Sequence, residues 1–282
     1  MSPQEFRFTQ LDVFTDRALF GNPLAVVHGA DGLSDEQMAA FARWTHLSET
    51  TFLLAPTDPG ADYRVRIFTP TVELPFAGHP TLGSCHAWLA AGGASRSADE
   101  VVQQCGVGRV RIRRNGTRLA FAAPPRRRSG PLDEALVERI ARFLQVPRAA
   151  IVAHQHCNNG PAWKAVMLAS AGAVKALRPQ LGSESSLEIG VVGPHGAGAQ
   201  PAFEVRAFFP AAGGGLAEDP VTGSLNAALA QWLIGDGLAP PTYVAAQGAA
   251  LGRAGHVHVA QQGDDIWVGG DSIAVVQGTV SL

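Results

Sequence analysis

The chain has 282 residues, of which 46% are hydrophobic, and a formal net charge of -2. That length suits two average domains or one large one, with a substantial core. The near-neutral balance excludes a broad basic surface for nucleic acid or anionic membrane as the organising feature.

MSPQEFRFTQLDVF, at the start, has no long apolar stretch of the signal-peptide kind. No run of about 18 apolar residues suggests a membrane span. Cys85, Cys105 and Cys157 are scattered without CxxC spacing, so they carry no zinc or disulfide signature. The expectation is a cytoplasmic protein with reduced thiols. Neither a GxxxxGK[ST] loop nor a strand-linked GxGxxG is present, and no metal or nucleotide cofactor is implied.

In chain order, Ser34 to Trp44 is the first predicted helix, with Gln37 at the capping-box spacing from Ser34. Thr50 to Leu54 reads as a buried strand with Glu49 at its mouth. His79-Pro80 opens a helix that continues through the apolar run Leu82 to Leu89. Val107 to Ile112 alternates as a strand does and leads to the Asn115-Gly116 turn signal. Arg126, Arg127 and Arg128 lie between prolines and read as a solvated linker. Leu132 to Phe143 is another helix, and Gly213-Gly214-Gly215 a flexible turn. Asp219-Pro220 combines a favoured N-cap with proline at the first helical position, ahead of the apolar run Leu225 to Leu233. His256 to Val259 alternates, and Gln262-Gly263 turns the chain toward Ile266 to Val268.

The chain repeats itself. Arg66-Ile-Phe-Thr-Pro70 is echoed by Arg206-Ala-Phe-Phe-Pro210. The same offset, without a gap, takes His79-Pro-Thr-Leu-Gly-Ser84 to Asp219-Pro-Val-Thr-Gly-Ser224. Each half therefore reads as strands around one central helix that is apolar nearly all round and hence buried. The halves meet between Pro124 and Pro131. Each helix start offers unpaired N–H groups and about half a positive charge, suited to a carboxylate or a developing enolate. Gly78, Gly83, Gly223 and Ser224 are small enough for a ligand to approach the backbone, though Gly83, inside its helix, also suits tight packing.

Four segments in order are similar to one known family: Gly21-Asn-Pro-Leu-Ala-Val-Val27, Leu47-Ser-Glu-Thr-Thr-Phe52, Glu73-Leu-Pro-Phe-Ala-Gly-His-Pro-Thr-Leu-Gly83 and Glu218-Asp-Pro-Val-Thr-Gly-Ser224. Together they resemble the phenazine-biosynthesis isomerase-like proteins, from Leu11 to Gly270. The resemblance implies an α/β (α+β) fold of two pseudo-repeated diaminopimelate epimerase-like domains. Each is a curled, mostly antiparallel sheet around a central helix, at residues 1–124 and 125–282, and the last strand is able to cross over to the first domain. The resemblance also implies an active site between the domains. Epimerases of that wider fold place a cysteine at each helix head, whereas this sequence is expected to hold His79 and Asp219 there.

The family's isomerase moves a proton within a small allylic amine-alcohol carboxylate, without cofactor or metal. Carried over, the resemblance makes Glu49 the general acid/base, with His79 and Asp219 orienting the substrate and relaying protons. Asn22, Ser48, Gly78, Gly223 and Ser224 are its substrate contacts. Ile189 is taken as the repeat of Glu49, so one half alone carries the base. A homodimer and a small anionic substrate are expected. Two alternatives stand beside this: a cofactor-independent epimerase or racemase of a small amino or hydroxy acid, and a non-catalytic binding protein of the same fold.

Overall fold

The computed structural model describes residues 4–211 and 214–282. Gly213, part of the expected glycine turn, lies outside the described residues; Gly214 and Gly215 both adopt positive φ, as such a turn requires. The fold is mixed α+β and dominated by sheet. The chain divides into two compact units, 1–122 with 269–282, and 123–268. Among the described residues no helix is long and apolar enough to cross a membrane.

The first unit opens with β1 (Glu5–Val13), β2 (Asn22–Val27), α1 (Asp35–Thr45), β3 (Thr50–Leu54), β4 (Tyr63–Phe68) and β5 (Glu73–Leu74). It continues with α2 (Gly78–Ala90), β6 (Glu100–Cys105), β7 (Gly108–Asn115) and β8 (Arg118–Ala122). β1 pairs antiparallel with β2, β2 parallel with β3, and β3 antiparallel with β4. β4 then pairs parallel with β6, and β6–β7–β8 runs antiparallel. The capping box of Ser34 and Gln37 forms as expected and fixes the start of α1. His46 ends α1 in a left-handed conformation, φ 56°.

The second unit repeats the scheme. Its elements are α3 (Glu134–Leu144), β9 (Ile151–Asn158), β10 (Ala162–Leu168), α4 (Ala171–Ala176), β11 (Ile189–Pro194), β12 (Phe203–Pro210) and β13 (Leu216–Asp219). After them come α5 (Gly223–Gly235), β14 (Thr242–Gln247), β15 (Gly255–Gln262) and β16 (Asp265–Gly270). β9–β10 is antiparallel, β10–β11 parallel, β11–β12 antiparallel, β12–β14 parallel and β14–β15 antiparallel, matching the first unit step for step. The last strand, β17 (Ser272–Ser281), returns to pair antiparallel with β1.

In each unit the sheet curls around one helix. α2 touches β1, β2, β3, β6, β8 and β17, strands from both ends of its sheet, while α5 touches β9, β10 and β15. Both helices are buried nearly all round, as their apolar runs require. Gly83 serves close packing: a Cβ there would lie 2.6 Å from Leu24 and 2.9 Å from Val13. In the second unit the relief sits on the strand instead, at Gly190, where a Cβ would lie 2.4 Å from Leu225.

The repeat holds, but its expected ungapped register does not. Phe68 pairs with Glu73, whereas Phe208 pairs with Glu218, so the β12–β13 hairpin carries five more residues. Beyond that hairpin the equivalent stretches are Glu73-Leu-Pro-Phe-Ala-Gly-His79 and Glu218-Asp-Pro-Val-Thr-Gly-Ser224. The structural partner of His79 is therefore Ser224, and that of Asp219 is Leu74. The expected helix starts move too. Asp219 ends β13 and is not the N-cap of α5, which starts at Gly223, after Thr222. His79 is the second residue of α2, and neither helix has a side-chain N-cap.

Candidate active site

Glu49 and His79 are far apart in sequence and meet in the first unit. Glu49 directly precedes β3, and His79 sits in the first turn of α2. His79 Nε2 lies 3.3 Å from Glu49 Oε2, with the His79 side chain 7% and the Glu49 side chain 16% exposed. The pair is within ion-pair reach without being aligned as a hydrogen bond. On the other side of the ring, Asn22 Nδ2 lies 3.3 Å from His79 Nδ1. Asn22 opens β2 and is fully buried. Gly21 makes its placement possible, because a Cβ there would meet the Val13 carbonyl oxygen at 2.4 Å. Ser48, half-buried, precedes Glu49, and Gly78, buried, opens α2.

The electrostatics of the pair follow from burial. Loss of solvent pushes the His79 pKa down to about 3, so the imidazole is neutral at physiological pH. An amide N–H from Asn22 directed at Nδ1 makes that nitrogen the acceptor and leaves the ring proton on Nε2, facing Glu49. A neutral donor thus stands beside a carboxylate with little water around either.

This has a stability consequence. Because His79 has a depressed folded-state pKa, the unfolded chain takes up its proton first as pH falls below 6.5. Stability present above that value is then lost progressively toward pH 3. By pH 5 the loss from this group amounts to about 2 kcal/mol. Urea unfolding at pH 7.5 and 5 checks it, and His79→Gln flattens the difference.

The second-unit candidates gather at the head of α5. Asp219 Oδ2 accepts the Thr222 hydroxyl at 2.5 Å. Gln247, 1% exposed, fastens this turn. Its Oε1 accepts the Thr222 N–H at 3.1 Å and the Asn226 amide at 2.9 Å, while its Nε2 donates to the Asp219 carbonyl at 3.1 Å and the Thr222 hydroxyl at 2.9 Å. Gly223 and Ser224 are the first two residues of the helix. In the first unit, buried Gln103 bonds Thr81 of α2 at 3.0 Å and accepts from Tyr63 at 2.8 Å. These glutamines escape motif reading, although the buried alternation Tyr243, Ala245, Gln247 marks the inward face on which a polar residue needs partners. Gln247→Ala leaves buried donors at Thr222 and Asn226 without this acceptor and is expected to cost about 2 kcal/mol, read from the urea midpoint.

The expected break in symmetry at Glu49 needs correction. Thr50 pairs with Phe68 and Ile189 with Phe208, so Thr50 matches Ile189 and Glu49 matches Glu188. Both units hold a glutamate at this place; what differs is its surroundings. Glu188 Oε2 accepts the Ala162 N–H at 2.5 Å and its carbonyl takes the Lys164 N–H, which ties it to β10. Glu49 faces a histidine instead.

The cysteines lie elsewhere. Burial pushes the thiols of Cys85 and Cys157 up to about 12, which leaves them protonated and unreactive. Among the described residues no group of three or more His, Cys, Asp and Glu side chains is placed to hold a metal ion.

Comparison with known proteins agrees with this architecture. The family model described as phenazine biosynthesis-like protein (PhzC-PhzF) matches residues 11–278. Trans-2,3-dihydro-3-hydroxyanthranilate isomerase of Pseudomonas aeruginosa is 32% identical over 291 residues, covering 98% of this chain and 99% of that protein. Antisense-enhancing sequence 1 of Schizosaccharomyces pombe is 35% identical over 267 residues, 88% of each. In fold, the crystal structure of the Bacillus anthracis PhzF-family phenazine biosynthesis protein has a TM-score of 0.82 at 21% identity, covering 98% of this chain and 99% of that one. The chain belongs to the phenazine biosynthesis-like protein family and is, with the isomerases among its relatives, an isomerase.

Proposed function

We propose that the protein catalyses a cofactor-independent proton shift on a small carboxylate-bearing substrate of the dihydro-hydroxyanthranilate type, with Glu49 as general acid/base. The single observation that supports this most is the 3.3 Å approach of Glu49 Oε2 to a buried, neutral His79. Glu49 takes the carbon-bound proton and returns it to another carbon on the same face. The Nε2–H of His79 steadies the carboxylate while it is charged, and Asn22 keeps the ring in that tautomer. Asp219, Gly223 and Ser224 bind the anionic part of the substrate, aided by the uncapped head of α5. Ser48 and Gly78 are assigned as substrate contacts beside Glu49.

The test is a panel of small amino and hydroxy carboxylates, trans-2,3-dihydro-3-hydroxyanthranilate included, incubated with the enzyme in deuterated water. Uptake of solvent deuterium together with migration of a double bond is expected. Absence of both across the panel refutes the assignment.

A two-base epimerase is a second possibility, favoured by Glu188 at the place equivalent to Glu49. The Ala162 N–H on Glu188 Oε2 speaks against it. Exchange at a stereocentre with no double-bond movement would favour it.

A further inference from the structure

We infer that Trp163 is a positioning residue that directs the Ser224 hydroxyl proton toward the substrate's anionic group. The inference rests on the proposal above that Ser224 contacts substrate.

Trp163 lies on β10, 4% exposed, and its indole Nε1–H donates to Ser224 Oγ at 3.2 Å. An indole N–H is only ever a donor, so it occupies an acceptor position of the hydroxyl. The Ser224 proton must then be directed at some other acceptor. Among the described residues Trp163 is the one hydrogen-bond partner of Ser224 Oγ. The proton is thus left for a group that accepts, and a carboxylate or developing enolate oxygen is such a group.

A second tie fixes the backbone of the same residue. Asn159, 4% exposed, donates from Nδ2 to the Ser224 carbonyl at 3.0 Å. Asn159 follows β9 directly and Trp163 is the second residue of β10, so the β9–β10 hairpin grips Ser224 at two atoms, one through the main chain and one through the hydroxyl. The Asn159 tie holds the turn of α5 in place; the Trp163 tie sets the polarity of the hydroxyl. A structural hydrogen bond could have been made with either atom as donor. An indole at this position permits one sense only, and that sense matches a negatively charged ligand. His79, the equivalent residue of the first unit, is likewise held by a neighbouring side chain, Asn22, that makes its outer nitrogen a donor.

The experiment is steady-state kinetics on trans-2,3-dihydro-3-hydroxyanthranilate with the full-length wild type, Trp163→Phe, Ser224→Ala and the double variant. Urea unfolding of each checks that the fold survives. Trp163→Phe keeps an aromatic ring, though a smaller one, and removes the N–H. It is expected to raise KM about tenfold with kcat within about twofold, the effect of freeing one hydrogen bond to a charged group. Ser224→Ala should give a similar rise, and the double variant no more than Ser224→Ala alone, because the indole acts only through the hydroxyl. Ser224→Thr, which keeps a hydroxyl, should recover most of the affinity. Unchanged KM in Trp163→Phe, or additive losses in the double variant, overturns the inference while leaving the proposed reaction intact. A wild type that neither binds nor converts the substrate overturns the reaction itself, and the inference with it.

Discussion

Glu49→Gln is expected to abolish proton transfer, lowering the rate of deuterium uptake and product formation by about a thousandfold or more while leaving the fold intact. The substitution preserves shape and a polar oxygen facing His79 Nε2 but removes the carboxylate to which the proposal assigns the proton. A well-placed general base contributes roughly 10²- to 10⁴-fold on its own, and in the proposed reaction the same group serves twice, once as base and once as acid. The side chain is 16% exposed, which limits substitution by bulk water. His79→Gln should cost less, since a neutral imidazole steadies the carboxylate without carrying the proton in the first step. The rates of both variants, measured with substrate saturating, give the order. A Glu49→Gln enzyme that retains more than about a tenth of wild-type turnover contradicts the assignment.

Glu218→Ala is expected to destabilise the second unit by about 3–5 kcal/mol, and Glu73→Ala the first by less than about 1 kcal/mol. The two glutamates are repeat equivalents and make the same bidentate bond. Arg66 meets Glu73 at 2.6 and 2.8 Å, and Arg206 meets Glu218 at 2.6 and 2.7 Å. Each arginine also lies over an aromatic ring two residues on, Phe68 or Phe208. Burial differs, and so do the arginines' further partners. The side chains of Arg206 and Glu218 are 6% and 8% exposed, those of Arg66 and Glu73 16% and 41%. Removing Glu218 strands a buried guanidinium whose remaining partner at good distance is the Leu177 carbonyl, 2.9 Å away. Removing Glu73 leaves Arg66 with Asp35 at 2.5 Å and with water. Urea unfolding, followed by probes in each unit, measures both. Equal losses would show that burial does not decide the worth of this pair.

The elements most legible in the sequence were those with a local chemical signature. The box of Ser34 and Gln37, the Asn115-Gly116 turn and the apolar runs of α2 and α5 all appear where their residues direct. The repeat was visible because β4 and β12 share an Arg-x-Phe pattern set by a common ion pair and a common ring contact. Its register was not visible. The five extra residues fall in a hairpin, where chain length is tolerated without a periodic pattern to betray it. Beyond the hairpin, helices rich in Ala and Leu match one another at several offsets. The apparent match of His79-Pro80 to Asp219-Pro220 therefore outweighed the true one, Glu73-x-Pro75-x-x-Gly78 with Glu218-x-Pro220-x-x-Gly223.

The helix starts depart from the sequence pattern for a related reason. Proline is accepted anywhere in a first turn whose N–H groups are orphaned, or just ahead of it. Pro80 is the third residue of α2, while Pro220 precedes α5 altogether. Thr222, at the N-cap position of α5, spends its hydroxyl on Asp219 and Gln247 rather than on the helix. The bond with Gln247, like those of Gln103, Asn159 and Trp163, joins residues distant in sequence and leaves no motif behind. By contrast Glu49, His79 and Asn22 were singled out through segment patterns, and the structure brings these three together around one imidazole.

The most direct measurement is the position of solvent deuterium in the product formed from trans-2,3-dihydro-3-hydroxyanthranilate in deuterated water, read by NMR. A single carboxylate that lifts and lowers hydrogen on one side of the ring predicts hydrogen delivered to one face of the carbon that gains it, as deuterium in those turnovers in which the carboxyl proton exchanges with solvent first, with the double bond displaced. Deuterium at the original stereocentre of recovered, unrearranged substrate, with inversion there, would contradict it.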